Sequence, residues 1–246
     1  MTDQNDAAVN VPTAAVTIDV GLSVSVAIRG YLASQHLWAA RRAAREARQI
    51  ENRLAGSGHA SVELEAATTN AIFLSVAFIE ASVNEVLQDL AESEPGKLNS
   101  RCAGIGEDTA RMVRALWQQP ARLERAGVLE KYQVALAAAH QPPLDAGQKP
   151  FQWAKKLIGL RNALIHFKPE WQADDEQHAQ EKELKGLFAT STIFTGPVQP
   201  WYPRACLATG CAEWANATAV DFVDTWWKKM GLRRDYHEDL RGMPTP

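Results

Sequence analysis

Apolar and small residues recur every three or four positions along most of this chain, and Pro and Gly cut the recurrence into segments. Residues 20–55 read as one long helix. Leu32, His36, Ala39, Ala43, Ala47, Ile50 and Leu54 share the spacing of one helix face. That stripe is mostly alanine, so a partner helix can approach closely. Gly56-Ser57-Gly58 ends it. Ser61 then precedes a second long helix that runs to about Glu92, with Ile72, Val76, Ile79, Val83, Val86 and Leu90 in its stripe. Pro95-Gly96 stops that helix.

Residues 97–148 are less regular, and two short helices fit there, 107–118 and 121–139. Pro120 starts the second, and Pro142-Pro143 follows it. Pro150 suits the first turn of the next helix. That helix carries Phe151, Ala154, Leu157, Ile158 and Ile165 and stops before Pro169. A short helix fits near 175–188, and residues 191–203, rich in Pro, Gly and Thr, read as an ordered loop. A last helix over 204–230 has Cys211, Ala215, Thr218, Phe222 and Trp226 on one face, with Gly231 as its cap. Residues 1–17 lack periodicity and read as a flexible N-terminus. Residues 18–231 read as a single helical domain and 232–246 as a flexible, charged tail. No run alternates with period two. The expected fold class is all-α: a bundle of four long helices with short-helix and loop insertions.

One helix end carries the chemistry. In Gly159-Leu160-Arg161-Asn162-Ala163-Leu164-Ile165-His166-Phe167-Lys168-Pro169, an arginine and a histidine stand about one and a half turns apart, just before a proline stop. Of the other Arg and His neighbours, Arg29 with His36 sits within a long amphipathic stretch, and Arg53 with His59 straddles the Gly56-Ser57-Gly58 break. The segment resembles the signature of the HEPN superfamily, in which Arg and a polar residue precede His. Residues 75–90, with Glu80 and Asn84 one turn apart, look like the earlier bundle helix of bacterial HEPN proteins. Residues 211–222 look like their closing helix. The resemblance spans roughly residues 60–230, and only the Arg-Asn-to-His segment in it is specific.

The resemblance implies metal-independent RNA cleavage at a cleft shared by two protomers. Five helical positions turn about 500°, so Arg161 and His166 of one copy point roughly 140° apart and converge poorly on one atom. Two signature helices meeting at a dimer seam would bring both pairs together. His166 would move protons to or from the ribose and the leaving oxygen, a task suited to a residue type that titrates near pH ~6.5. Arg161 would hold the scissile phosphate. The product would be a 2′,3′-cyclic phosphate, and the role that of a toxin or defence effector, with an antitoxin or sensor protein as partner. Asn162, Glu80 and Asn84 would support the pair, and Lys155, Lys156 and Lys168 would add positive charge for RNA. The plainer alternative gives His166 a capping role and pairs Arg161 with a bundle carboxylate such as Glu80. A rival from another class is a non-catalytic HEPN module that binds a nucleotide, RNA or a protein. A third is a purely structural helical dimer.

Composition narrows this only slightly. The 246 residues are 46% hydrophobic and 22% charged, with formal net charge −3 and pI ≈ 6.1. Those values exclude a wholly basic nucleic-acid coat but allow a local basic groove. No run of 18 apolar residues is found. The N-terminus has no basic segment before an apolar one. Cys102, Cys206 and Cys211 have no Cys-x-x-Cys spacing and suggest a reducing, cytoplasmic setting, with Cys206 and Cys211 read as small packed residues. No metal or cofactor is expected, since the histidines form no His-x-x-x-His or His-Glu-x-x-His set. Arg41, Arg45 and Arg48 share one helix face beside Arg42, either to steer phosphates or as a solvated face laced with Glu46 and Glu51. Trp153, Trp171, Trp201, Trp214, Trp226 and Trp227 are of a type that can stack bases but more often anchors a core or interface; Trp153 and Trp214 read as packing residues, and Trp201 stays open.

Overall fold

The computed structural model describes residues 17–18, 22–23, 29–118, 123–171, 176–194, 200–233 and 236–246. Two compact units divide at Gly30/Tyr31. The first contains a small antiparallel pair, β1 (Thr17–Ile18) and β2 (Leu22–Ser23), in register Thr17↔Ser23 and Ile18↔Leu22. This corrects the helix expected from residue 20, in a stretch rich in β-branched residues that suit an extended backbone. The expected flexible N-terminus, the start of the 121–139 helix, the first residue of the 175–188 helix and part of the 191–203 loop lie outside the described residues.

The second unit is an all-α bundle. Four long helices frame it: α1 (Ala33–Leu54), α2 (Val62–Glu92), α5 (Phe151–Ile165) and α7 (Thr209–Met230). Between α2 and α5 lie the shorter α3 (Glu107–Gln118) and α4 (Val128–Ala138). After α5 come α6 (Ala179–Leu184), a wide turn at Trp201–Ala205, and, beyond α7, α8 (His237–Arg241). The helix α2 touches α1, α3, α4, α5 and α7. All six residues of its expected stripe are buried, and Phe78, Leu87 and Asp89 are buried on other faces too. An 18-residue stretch of it, with mean hydropathy 1.4, is long and apolar enough to cross a membrane; here its apolar surface forms the centre of the bundle.

The α1–α2 hairpin is antiparallel, because Leu32 meets Glu85 at one end and Arg53 meets Glu63 at the other. Ala43, Ala44 and Ala47 pack against Leu64, Ala67 and Ala71, where small side chains let the helices approach closely. The buried register is Leu37 and Ala40, not the expected His36 and Ala39. On the other side of α2, Tyr132 of α4 lies against Phe222 and Trp226 of α7, with ring centroids 4.6 and 4.8 Å apart. Its hydroxyl donates to the Ile79 carbonyl at 2.7 Å, which joins α4 to the central helix.

Ser61, placed by the sequence just before α2, caps it by accepting a hydrogen bond from the Leu64 amide at 3.2 Å. By contrast, α1 and α7 have no cap of their own at Leu32 and Ala208. Carboxylates from other helices serve instead. Glu85 of α2 accepts from the Leu32 and Ala33 amides at 2.7 and 2.8 Å. Glu51 of α1 accepts from the Thr209 amide at 2.8 Å, from the Thr192 amide, and from the Thr192 hydroxyl at 3.1 Å. The far end of α7 is closed as expected by Gly231 at φ 73°.

Burial alone would push the Glu51 carboxyl up; the hydrogen bonds from Thr209 and Thr192 outweigh it and hold the group below its ordinary value of 4.5. A lowered folded-state pKa means the stabilisation is present above the unfolded value and is lost as pH falls through the folded one. Glu51→Gln should therefore cost about 1–2 kcal/mol at neutral pH. The gap between the two proteins should narrow below about pH 4.5. Urea unfolding of both at pH 7 and in acid measures this, and a gap that does not change with pH would contradict it.

The C-terminal residues are not a loose tail. Tyr236 is buried, with its ring edge-on to Trp227 at 5.5 Å and tilted against Phe78 at 5.3 Å, and donates its hydroxyl to Asp224 at 2.7 Å. Asp239 of α8 reaches Arg101 at 3.3 Å. The charged composition of this stretch concealed one aromatic anchor and one ion pair to the buried Arg101.

Candidate functional site at the end of α5

Pro150 precedes α5, and Phe151, Ala154, Leu157 and Leu160 turn into the core. The apolar stripe ends there: Ile158 is half-buried and Ile165 is 50% exposed. The helix stops at Ile165, and His166 is the cap residue, its amide donating to the Asn162 carbonyl at 2.9 Å. Arg161 is half-buried, whereas Asn162 and His166 are exposed. The Arg161 Nε is buried and has no hydrogen-bond partner among the described residues. A buried donor left without an acceptor costs free energy unless another group reaches it.

The expected supporting residues divide. The helices α2 and α5 do pack together. Glu80 is half-buried on α2, yet it makes no hydrogen bond or ion pair to Arg161 among the described residues. Asn84 is engaged elsewhere, its side-chain oxygen accepting from Lys131 Nζ at 2.9 Å. Lys155 and Lys168 are exposed. Lys156 is tied to Glu183, at 2.7 Å to the carbonyl and 3.1 Å to the carboxylate, which fastens α6 to α5 and offsets its charge.

Groups not anticipated from the sequence adjoin this end. Phe167 lies 6.3 Å from the Tyr202 ring, and His178 stacks on the same ring at 4.6 Å. His178 Nδ1 accepts from the Gln180 amide at 3.0 Å, so its proton resides on Nε2, 3.8 Å from Glu170. Burial, with the Cys206 and Cys211 thiols close by, pushes the Tyr202 hydroxyl up to about 12, so it stays protonated. The sequence pattern puts His178 inside a short helix near 175–188, whereas it caps the start of α6. Ile165 and Phe167, each 50% exposed, leave an apolar margin on either side of His166, and Trp171 is fully exposed further along. Trp201, Trp214, Trp226 and Trp227 are buried as packing residues, and Trp153 contacts Trp214 at 6.2 Å. Among the described residues, no group of three or more His, Cys, Asp or Glu side chains is placed to hold a metal ion.

No family model, no curated protein and no solved structure matches the chain.

Proposed function

We propose that this chain is a HEPN-like, metal-independent endoribonuclease that acts as a homodimer through α5, with an antitoxin or sensor protein as its regulator. The observation that carries this reading is Arg161. Its guanidinium has a buried Nε without a partner among the described residues, on the last turns of a helix whose end is otherwise open. A phosphate would pair with the solvent-facing part of this half-buried side chain. Ile165 and Phe167 supply an exposed apolar margin that a second copy of α5 would cover.

In this reading each protomer contributes one Arg161 and one His166 to a shared cleft. One imidazole removes the proton from the ribose 2′-hydroxyl, and the 2′-oxygen attacks phosphorus. The bond from phosphorus to the 5′-oxygen breaks, and that oxygen takes a proton from the other, protonated imidazole. The products are a 2′,3′-cyclic phosphate and a 5′-hydroxyl. Arg161 carries the charge that builds on the non-bridging oxygens.

Light scattering tests the assembly first. The expected mass is twice the 27.1 kDa of one chain. Ile165→Glu with Phe167→Glu, at two exposed positions, should yield a folded monomer without cleavage. A strict monomer at roughly tens of micromolar unmodified protein would count against the shared cleft. Absence of cleavage by an intact dimer on every RNA tried would point to the non-catalytic module.

A further inference from the structure

A second place in the molecule has unmatched charge, away from α5. A cavity of about 660 Å³ opens between α1 and α7, and none of Arg161, Asn162 or His166 lines it. That volume falls within the range of about 300–1,000 Å³ common to small-molecule sites. Arg41 and Arg45 stand on its α1 wall, Glu213, Asp221 and Asp224 on its α7 wall, and Ala44, Ala217 and Val220 supply its apolar part.

Internal pairing removes some of these charges and leaves others. Glu213 accepts from Arg48 Nε at 2.7 Å. Asp224 accepts from the Tyr236 hydroxyl at 2.7 Å and faces His237 Nε2 at 3.3 Å. Arg41, Arg45 and Asp221 have no hydrogen bond or ion pair among the described residues. The two arginines are four positions apart, so they lie one above the other on the same helix face. Two like charges in that arrangement repel, and an anion between them relieves the repulsion. Guanidinium forks match the oxygens of a phosphate. Asp221, on the opposite wall, offers an acceptor for a hydroxyl or amine. The same acidic wall opposes a continuous phosphate backbone, so the groove suits a compact ligand better than a nucleic-acid strand.

We propose that the α1–α7 groove binds a small phosphate monoester bearing a hydroxyl or amino donor, its phosphate between Arg41 and Arg45 and its donor on Asp221. Apolar carbon between these two ends rests on Ala217 and Val220. The site stands whether or not the end of α5 cleaves RNA.

Calorimetric titration of the full chain with ribose 5-phosphate, inorganic phosphate and ribose tests this. It is run in the His166→Ala background so that RNA can serve as a comparison without being consumed. Ribose 5-phosphate should bind saturably and more tightly than inorganic phosphate or ribose. The double variant Arg41→Ala/Arg45→Ala should weaken it by about tenfold or more. Arg45→Gln alone, at an exposed position, should give an intermediate loss. Asp221→Asn should erode the preference for ribose 5-phosphate over inorganic phosphate. Circular dichroism confirms that each variant is folded. No saturable binding up to about 10 mM would overturn the proposal. So would binding that the double variant leaves intact, or a short single-stranded RNA that loses more affinity to the double variant than ribose 5-phosphate does.

Discussion

His166→Ala abolishes RNA cleavage and leaves the helical content of the protein unchanged: this is the expected result if the imidazole moves the proton. General acid–base catalysis contributes about 10²–10⁴-fold, so the loss should be of that order or larger. The position favours a clean experiment, because His166 is exposed at the end of α5 and its backbone amide, not its ring, closes the helix. Arg161→Ala should lose activity as well. Arg161→Lys should not restore it fully, since an ammonium lacks the planar pair of donors that grips phosphate. Cleavage should persist in EDTA. The assay follows RNA with a readout for cyclic phosphate, beside circular dichroism. Cleavage that survives both alanine changes, or stops in EDTA, overturns the mechanism.

The largest effect on stability belongs to Arg101, in the irregular stretch between α2 and α3. Its side chain is 8% exposed and faces three carboxylates: Glu85 at 2.7 Å, Asp239 at 3.3 Å and Asp89 at 3.7 Å. Its guanidinium also covers the Tyr31 ring, 4.1 Å from the centroid. Arg101→Ala removes the guanidinium that Glu85, Asp239 and the buried Asp89 share. Removing one member of a buried ion pair costs about 3–5 kcal/mol. In a chain of this size that lowers Tm by roughly 10 °C. Urea unfolding gives the free energy, and thermal unfolding gives Tm. A loss below about 0.5 kcal/mol would show that the carboxylates find other partners or solvent. Arg101→Met, which keeps much of the volume, should rescue little, because the loss is one of charge and not of packing.

The parts of this fold that depend on local periodicity were legible. The helix α2 starts at its serine cap and ends where expected, α3 spans the expected residues, and α7 ends at Gly231. Its stripe of Cys211, Ala215, Thr218, Phe222 and Trp226 is buried throughout. What remained hidden depends on partners distant in the chain. The start of α1 is set by Glu85, more than fifty positions away, and the start of α7 by Glu51. Tyr236 and Asp239 sit in a charged stretch whose composition says nothing of Asp224 or Arg101. At the candidate site the Arg161–His166 pair could be read because its members are neighbours in sequence. Their expected supporters could not, because Asn84 and Lys156 answer to Lys131 and Glu183.

Helix starts supplied from a distance tie local order to global folding. In an isolated peptide of α1, the first turn has no group to occupy the Leu32 and Ala33 amides, and it frays. Only when α2 docks does Glu85 arrive, and only when α1 is in place does Glu51 reach Thr209. Three of the four long helices are thereby linked in series. Amide hydrogens at the first turns of α1 and α7, positions that ordinarily exchange through local opening, should exchange with protection close to that of the bundle core.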